Sequence, residues 1–377
     1  MVSLSWIRMS HFMPPASPQQ YHASLDTPGP DEEQIARDIA DVMLQIAQTT
    51  WDNGGHALRS VHAKSHGLLK GELQVLEGLP VALAQGMFSK PAIYPALMRF
   101  STTPGDLLSD KVSTPRGVAI KVLGVEGERL EGSEDATTQD FVMVNGPRFS
   151  ARDGKAFLRS LKPVAATTDK APRSKQGLSA LLRGTEALLE AIGGKSTKLR
   201  SMGGEPPHHI LGETFFSQLP LRHGQYIAKL QLVPVAPELT ALTGARVDLG
   251  ESDNALRDAV VEYFRHYSGQ WELRAQLCTD LEHMPIDDPT MEWNEKDSPF
   301  VTIARISAAP QTAWSPARSA AVDDGLGFSP WHGLQAHRPL GELMRLRKLS
   351  YETSQRFRMQ HGKTTGREPV SLNDLPD

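Results

Sequence analysis

Residues 343–358 read LMRLRKLSYETSQRFR. Arg347 and Tyr351 are four apart, and Arg358 lies seven beyond Tyr351. Those spacings place all three side chains on one face of a helix. Pro339 suits a first helical turn, and Leu340, Leu343 and Met344 supply apolar positions. A helix is therefore predicted over 339–358. A face with two arginines and a tyrosine is neither an ordinary surface nor an ordinary core.

The chain around it has 377 residues, 39% hydrophobic and 22% charged. These are ordinary values for a globular protein able to bury a large core. A net charge of −4 gives no case for nucleic acid or an anionic membrane. No window approaches the ~18 uninterrupted apolar residues of a membrane span. The single cysteine, Cys278, excludes an intrachain disulfide framework and needs no oxidising compartment. The N-terminus has no continuous apolar run of a secretory signal, so a cytoplasmic location is expected.

Residues 1–30, rich in Pro, Ser and Gln, are predicted to form a flexible arm. DEEQIARDIADVMLQIAQTTW follows, with acids in the first turn and an Ile35, Ile39, Val42, Met43, Ile46 stripe, so a helix is predicted over 31–50. From 51 to 308 short β-like runs such as ALMRFSTT, GVAIKVLGV and DFVMVNG alternate with turns. Within that region KPVAATTDKAPRSKQ (162–176) is read as a polar loop, and LSALLRGTEALLEAIGG and NALRDAVVEYFRHYS as helices. Residues 309–338 form an irregular wrapping segment, and 359–377 a loose tail. The fold class is α+β around an antiparallel β core. GGKST at 193–197 lacks the first glycine of a phosphate loop, with Leu189 in its place. His62 and His66 are four apart, but Gly67 argues against the helix that a shared zinc needs. His66, His208 and His209 are read as polar or packing histidines.

RSVHAKSHG (59–67), MRFSTTPGD, TPRGVAIKV, FVMVNGPRFSARD and RLRKLSYETSQRFR occur in that order. Together they resemble the catalase family, over about residues 55–358. HHILGETFFS, YIAKLQLVP and FSPWHG…HRPLG look like its small, catalase-related bacterial heme proteins. The resemblance implies a closed antiparallel β-barrel holding heme b. Only 26 residues (351 to 377) follow Tyr351, so the C-terminal helical domain of long catalases is expected to be absent.

The resemblance also assigns roles. Tyr351 matches the tyrosine that ligates heme iron, and Arg347 the guanidinium that favours its phenolate. Arg59, Arg99 and Arg358 match the arginines that bind the heme carboxylates. His62 matches the distal acid–base histidine, Ser101 the serine that fixes its tautomer, and Val61 and Phe149 heme neighbours. The family carries two asparagines before T-P-x-F-F. Here the sequence is VNGPRF, leaving Val144 opposite the distal asparagine and Asn145 opposite the second, so Asn145 is the candidate amide. Ser150 stands where a channel phenylalanine is usual. The implied activity is cleavage of hydrogen peroxide or organic hydroperoxides, with a small organic reductant as partner and a homodimer as the assembly. The same chemistry admits a fatty-acid hydroperoxide isomerase or lyase of the allene-oxide-synthase type. Heme binding without turnover is the alternative from another class.

Overall fold

Alternating apolar residues between turns close into a barrel in the computed structural model, which describes residues 17–169, 205–250, 252–362 and 368–377. Its strands are β1 (Ser65–Val75), β2 (Ile93–Thr102), β3 (Arg116–Leu123), β4 (Thr138–Val144), β5 (Phe215–Phe216), β6 (Leu221–His223), β7 (Tyr226–Pro234), β8 (Gly269–Leu277) and β9 (Val301–Ala308). Every pairing is antiparallel, in the order β5-β4-β3-β2-β1-β9-β8-β7-β6. A further β5–β7 pairing, Phe215 opposite Leu232, joins the ends. The ring therefore has eight strands, with β6 as a short hairpin partner of β7. Closure removes the unpaired edges that an open sheet would expose.

Inward residues fill the barrel, among them Met98, Phe100, Ile120, Phe141, Leu230, Trp271 and Ile306. Among the described residues four longer helices lie outside: α1 (Glu32–Gly54), α2 (Gly154–Thr167), α3 (Ala255–His266) and α4 (Glu342–His361). Ile35, Ile39, Met43 and Ile46 of α1, with Leu161 and Ala165 of α2, bury against Leu343, Met344 and Leu346 of α4. Each Ile, Leu and Met side chain among them contributes about 1.5–3 kcal/mol when fully buried. This packing fixes α4 against the barrel. Its first turn starts at Gly341, whose φ of +91° and close approach to Ile286 O leave no room for a Cβ.

Several expectations are corrected. Residues 162–167 are helical, because Leu161 and Ala165 hold α2 onto the core and carry it past Pro163. The described part of the expected arm, 17–30, is attached. Gln19 N donates to Cys278 O at 2.7 Å, Tyr21 N donates to Gln225 O at 2.8 Å, and buried Asp26 accepts from Arg345 of α4. The described part of the expected loose tail, 368–377, also packs. Leu375 is buried, Lys70 Nζ donates to Leu375 O at 2.7 Å, and Arg318 Nε donates to Pro376 O at 2.9 Å. Pro and polar residues mark non-helical backbone but not whether side chains elsewhere will hold it. The helix read at 178–194 and the GGKST stretch lie outside the described residues. Cys278 is buried, and burial pushes its thiol up to about 11.

Candidate active site

Strand register builds one wall. Residues opposite each other in an antiparallel pair share a face, so the outer surface of β2, β3 and β4 carries three rows. Ser101, Gly117 and Val144 form the first, Arg99, Ala119 and Val142 the second, and Leu97, Lys121 and Asp140 the third. Ala119, Val142 and Val144 remain partly exposed although the residues between them are buried. This leaves a partly open apolar strip on the outer face of β3 and β4.

His62 stands at the first row. A Cβ on Gly117 would lie 2.5 Å from His62 Cε1 and 2.8 Å from Nδ1, so the ring occupies the space that this glycine vacates. Four partners fix the residue. Its N donates to Thr103 O at 2.9 Å, its Nδ1 meets Ser101 Oγ at 3.0 Å, and its carbonyl accepts from Arg99 Nη2 at 2.7 Å. The Gly117 contact is the fourth. That over-determination sustains a φ of +54°, a conformation costing a non-glycine residue of order 1–3 kcal/mol. Burial first, then Arg99, Arg347 and Arg59, push the imidazole down to about 3. It is therefore neutral near pH 7. With Nδ1 engaged by Ser101, Nε2 is the nitrogen left to exchange a proton.

Helix α4 presents a second set of groups. Arg347 Nη2 donates to Tyr351 Oη at 2.7 Å, the i, i+4 contact that the spacing predicts. The Arg347 guanidinium also lies 5.9 Å from the centre of the Phe149 ring, which packs edge-on against Phe157. Val61, partly buried, joins the same apolar cluster as α1 and α4.

Arg59, Arg99 and Arg358 converge around residues 322–326. Arg59 Nη2 donates to Val322 O at 3.1 Å and Leu326 O at 2.7 Å. Arg358 donates to Asp323 O, Asp324 O and Leu326 O at 3.0, 3.1 and 3.2 Å. Arg99 Nε donates to the Asp323 carboxylate at 2.7 Å. Burial, then the Arg358 and Arg99 charges, lower Arg59 well below the ordinary arginine value. Burial and Arg99 bring Arg358 down to about 10. The Nε atoms of Arg59 and Arg358 are buried with no partner. A buried cluster with excess positive charge and unpaired N–H groups suits a ligand carrying carboxylates. A phenol hydrogen-bonded by a guanidinium suits a metal that takes an anionic oxygen ligand. The donor set thus fits a tyrosine-ligated heme with two propionates.

Asn145 is placed differently from a free distal amide. Its Oδ1 accepts from Arg116 N at 2.8 Å and its Nδ2 donates to Glu205 Oε1 at 3.0 Å. Both ends of the amide are engaged, and Val144 occupies the row beside His62.

No family model matches the sequence. Solved structures do resemble the barrel. Catalase A from Saccharomyces cerevisiae superposes with a TM-score of 0.56 at 19% identity, over 83% of this chain and 63% of that one. A fungal catalase gives 0.56 at 20% identity, over 83% and 61%. A bacterial catalase gives 0.54 at 16%, over 90% and 63%. The fold is catalase-like. The chain spans about three-fifths of the length of these catalases.

Two residues of this candidate site carried no signal in the sequence. Gly117 has no chemistry of its own, and only the fold brings its Cα hydrogens against His62. Asp323 lies in the irregular wrapping segment, where an acid reads as solvated surface. It is instead largely covered, its side chain 12% exposed, accepting from Arg99 Nε and from the Ser65 and Ser319 hydroxyls at 2.6 Å each.

Proposed function

We propose that this chain binds heme b through Tyr351 and cleaves hydrogen peroxide or organic hydroperoxides. Heme iron, when bound, supplies the two-electron chemistry that splits an O–O bond. Arg347, hydrogen-bonded to the Tyr351 oxygen, would stabilise the phenolate. Arg59 and Arg358, with their unpaired Nε atoms, would receive the propionates. Neutral His62 would accept a proton from one peroxide oxygen at Nε2 and return it to the other, which assists heterolytic cleavage. Ser101 would hold the tautomer that leaves Nε2 free. Val61, Ala119, Val142 and Val144 would form the apolar wall facing the ring, and Phe149 would flank the Arg347 side.

The observation that carries this reading is the buried arginine cluster beside the Arg347–Tyr351 hydrogen bond. With valine on the distal row and the Asn145 amide engaged elsewhere, hydrogen peroxide has fewer partners to orient it as a reductant. Turnover with a small organic reductant is therefore favoured over rapid disproportionation.

The test is direct. The protein is purified with heme supplied and its absorption spectrum is recorded. Hydrogen peroxide, then cumene hydroperoxide, is added while oxygen release and reductant oxidation are followed. Heme uptake, reductant oxidation and a changed spectrum in Tyr351→Phe support the reading. No heme uptake, or an identical Tyr351→Phe spectrum, rejects it. Rearranged lipid hydroperoxide without reductant consumption would assign an isomerase instead.

A further inference from the structure

Asp323 belongs to none of the roles above, yet its largely covered side chain lies at the junction of both sides of the site. Its Oδ1 accepts from Arg99 Nε at 2.7 Å, and its Oδ2 from the Ser65 and Ser319 hydroxyls at 2.6 Å each. The other end of the Arg99 fork, Nη2, donates to the carbonyls of His62 at 2.7 Å and Ala63 at 3.1 Å. A guanidinium is planar and its donors keep a fixed relation. Holding Nε therefore fixes where Nη2 points. Asp323 also reaches the other side, since its backbone carbonyl accepts from Arg358 of α4 at 3.0 Å.

We infer that Asp323 is a positioning residue for the distal histidine, acting through Arg99. His62 is held at a left-handed φ of +54°, and such a backbone persists only while its surroundings enforce it. Its carbonyl is enforced by Arg99 alone among the hydrogen bonds described, and Arg99 is aimed by Asp323. Arg99, expected from the sequence to meet a ligand carboxylate, meets the chain's own. The device also links the two sides. A shift of segment 322–326, which Arg358 grips from the Tyr351 helix, moves the carboxylate that aims Arg99. The seat of the proximal helix is thereby read out at the distal ring. The catalytic purpose rests on the proposed role of His62, whereas the positioning does not.

The experiment uses the full chain without ligand, with its histidines labelled with 15N, and His62→Gln to assign the His62 ring. In the unaltered protein His62 is expected to show one neutral tautomer. In Asp323→Asn that single signal is expected to split or broaden, while His66, His223 and His337 keep their shifts. Arg99→Lys retains the charge but loses the fork, and is expected to reproduce the change. Asp323→Asn added to Arg99→Lys is expected to change nothing further. Unchanged His62 signals in folded Asp323→Asn overturn the inference, even if the thermal midpoint falls. Should Asp323→Asn fail to fold, Ser319→Ala removes one of its hydrogen bonds, and unchanged His62 signals there count against the inference in the same way. Heme titration of the same samples is read separately. Failure of the unaltered protein to take up heme rejects the proposed function and leaves the His62 result standing.

Discussion

Replacing Gly117 with alanine tests the placement of His62 with the least collateral change. Gly117 lies in β3 with an ordinary strand backbone, so alanine there meets no torsional penalty. The new methyl would lie 2.5 Å from His62 Cε1 and 2.8 Å from Nδ1. An ordinary van der Waals contact begins at 3.4 Å, so the ring must retreat by 0.9 Å (3.4 − 2.5). It cannot do so freely, because Ser101 holds Nδ1 and Thr103 and Arg99 hold its backbone. Overpacking of this kind costs about 1–3 kcal/mol of stability. The larger effect is on chemistry, since a ~1 Å misplacement of a reacting group can lower a rate about 100-fold. We therefore expect Gly117→Ala to fold, to take up heme, and to lose about two orders of magnitude in peroxide cleavage. The assay is reductant oxidation under initial-rate conditions, beside a heme titration and a melting curve. Unaltered turnover in the folded, heme-loaded variant would show that His62 is not the acid–base group or does not sit against Gly117.

Two further predictions concern stability. Lys121 is fully buried between Asp140 at 2.7 Å and Glu368 at 2.5 Å, so Lys121→Met leaves two carboxylates without their cation. A loss of about 3–5 kcal/mol in denaturant unfolding is expected, and a loss under about 1 kcal/mol would mean that Glu368 is not seated there. The second is acid lability. Burial brings His209, His223 and His332 each down to about 4, against about 6.5 in an unfolded chain. Between those values the unfolded state binds protons that the folded state refuses, so stability is lost as pH falls from 6.5 toward 4. Each histidine contributes a slope of about 1.4 kcal/mol per pH unit. Asp140 works the other way. Burial, against Lys121, raises it to about 7, so its proton favours the folded state as pH falls. Three histidines outweigh one carboxylate, and His223→Gln is expected to flatten the slope of unfolding free energy between pH 6.5 and 4.5 by about 1.4 kcal/mol per pH unit. An unchanged slope would mean that His223 is protonated in the folded chain.

Much of the site was legible because helical spacing is a local property. R-x-x-x-Y fixes Arg347 and Tyr351 on one face whatever surrounds the helix, and the structure joins them at 2.7 Å. The stripe of α1 was legible for the same reason, and it is the face that buries. The paired β2–β4 segments showed themselves by alternation and turns. Asn145 was less legible: it stands one position past the outward row, where both ends of its amide find partners in the chain. The described parts of the arm and tail read as loose because their partners are remote in sequence. Asp26 meets Arg345, and Glu368 meets Lys121.

By itself the sequence determined the main strands of the antiparallel β core, the helix at α1, and the shared face of Arg347, Tyr351 and Arg358. Those follow from backbone periodicity, which acts over a few residues. Only the tertiary structure decided that the sheet closes through β5 and β7, that Gly117 makes room for the His62 ring, and that Asp323 lies between Arg99 and Arg358. Those contacts join segments from tens to more than two hundred residues apart, Arg99 and Asp323 being 224 apart. Their partners are set by barrel closure and by the need of each buried charge and N–H group for a counterpart, which no local spacing encodes.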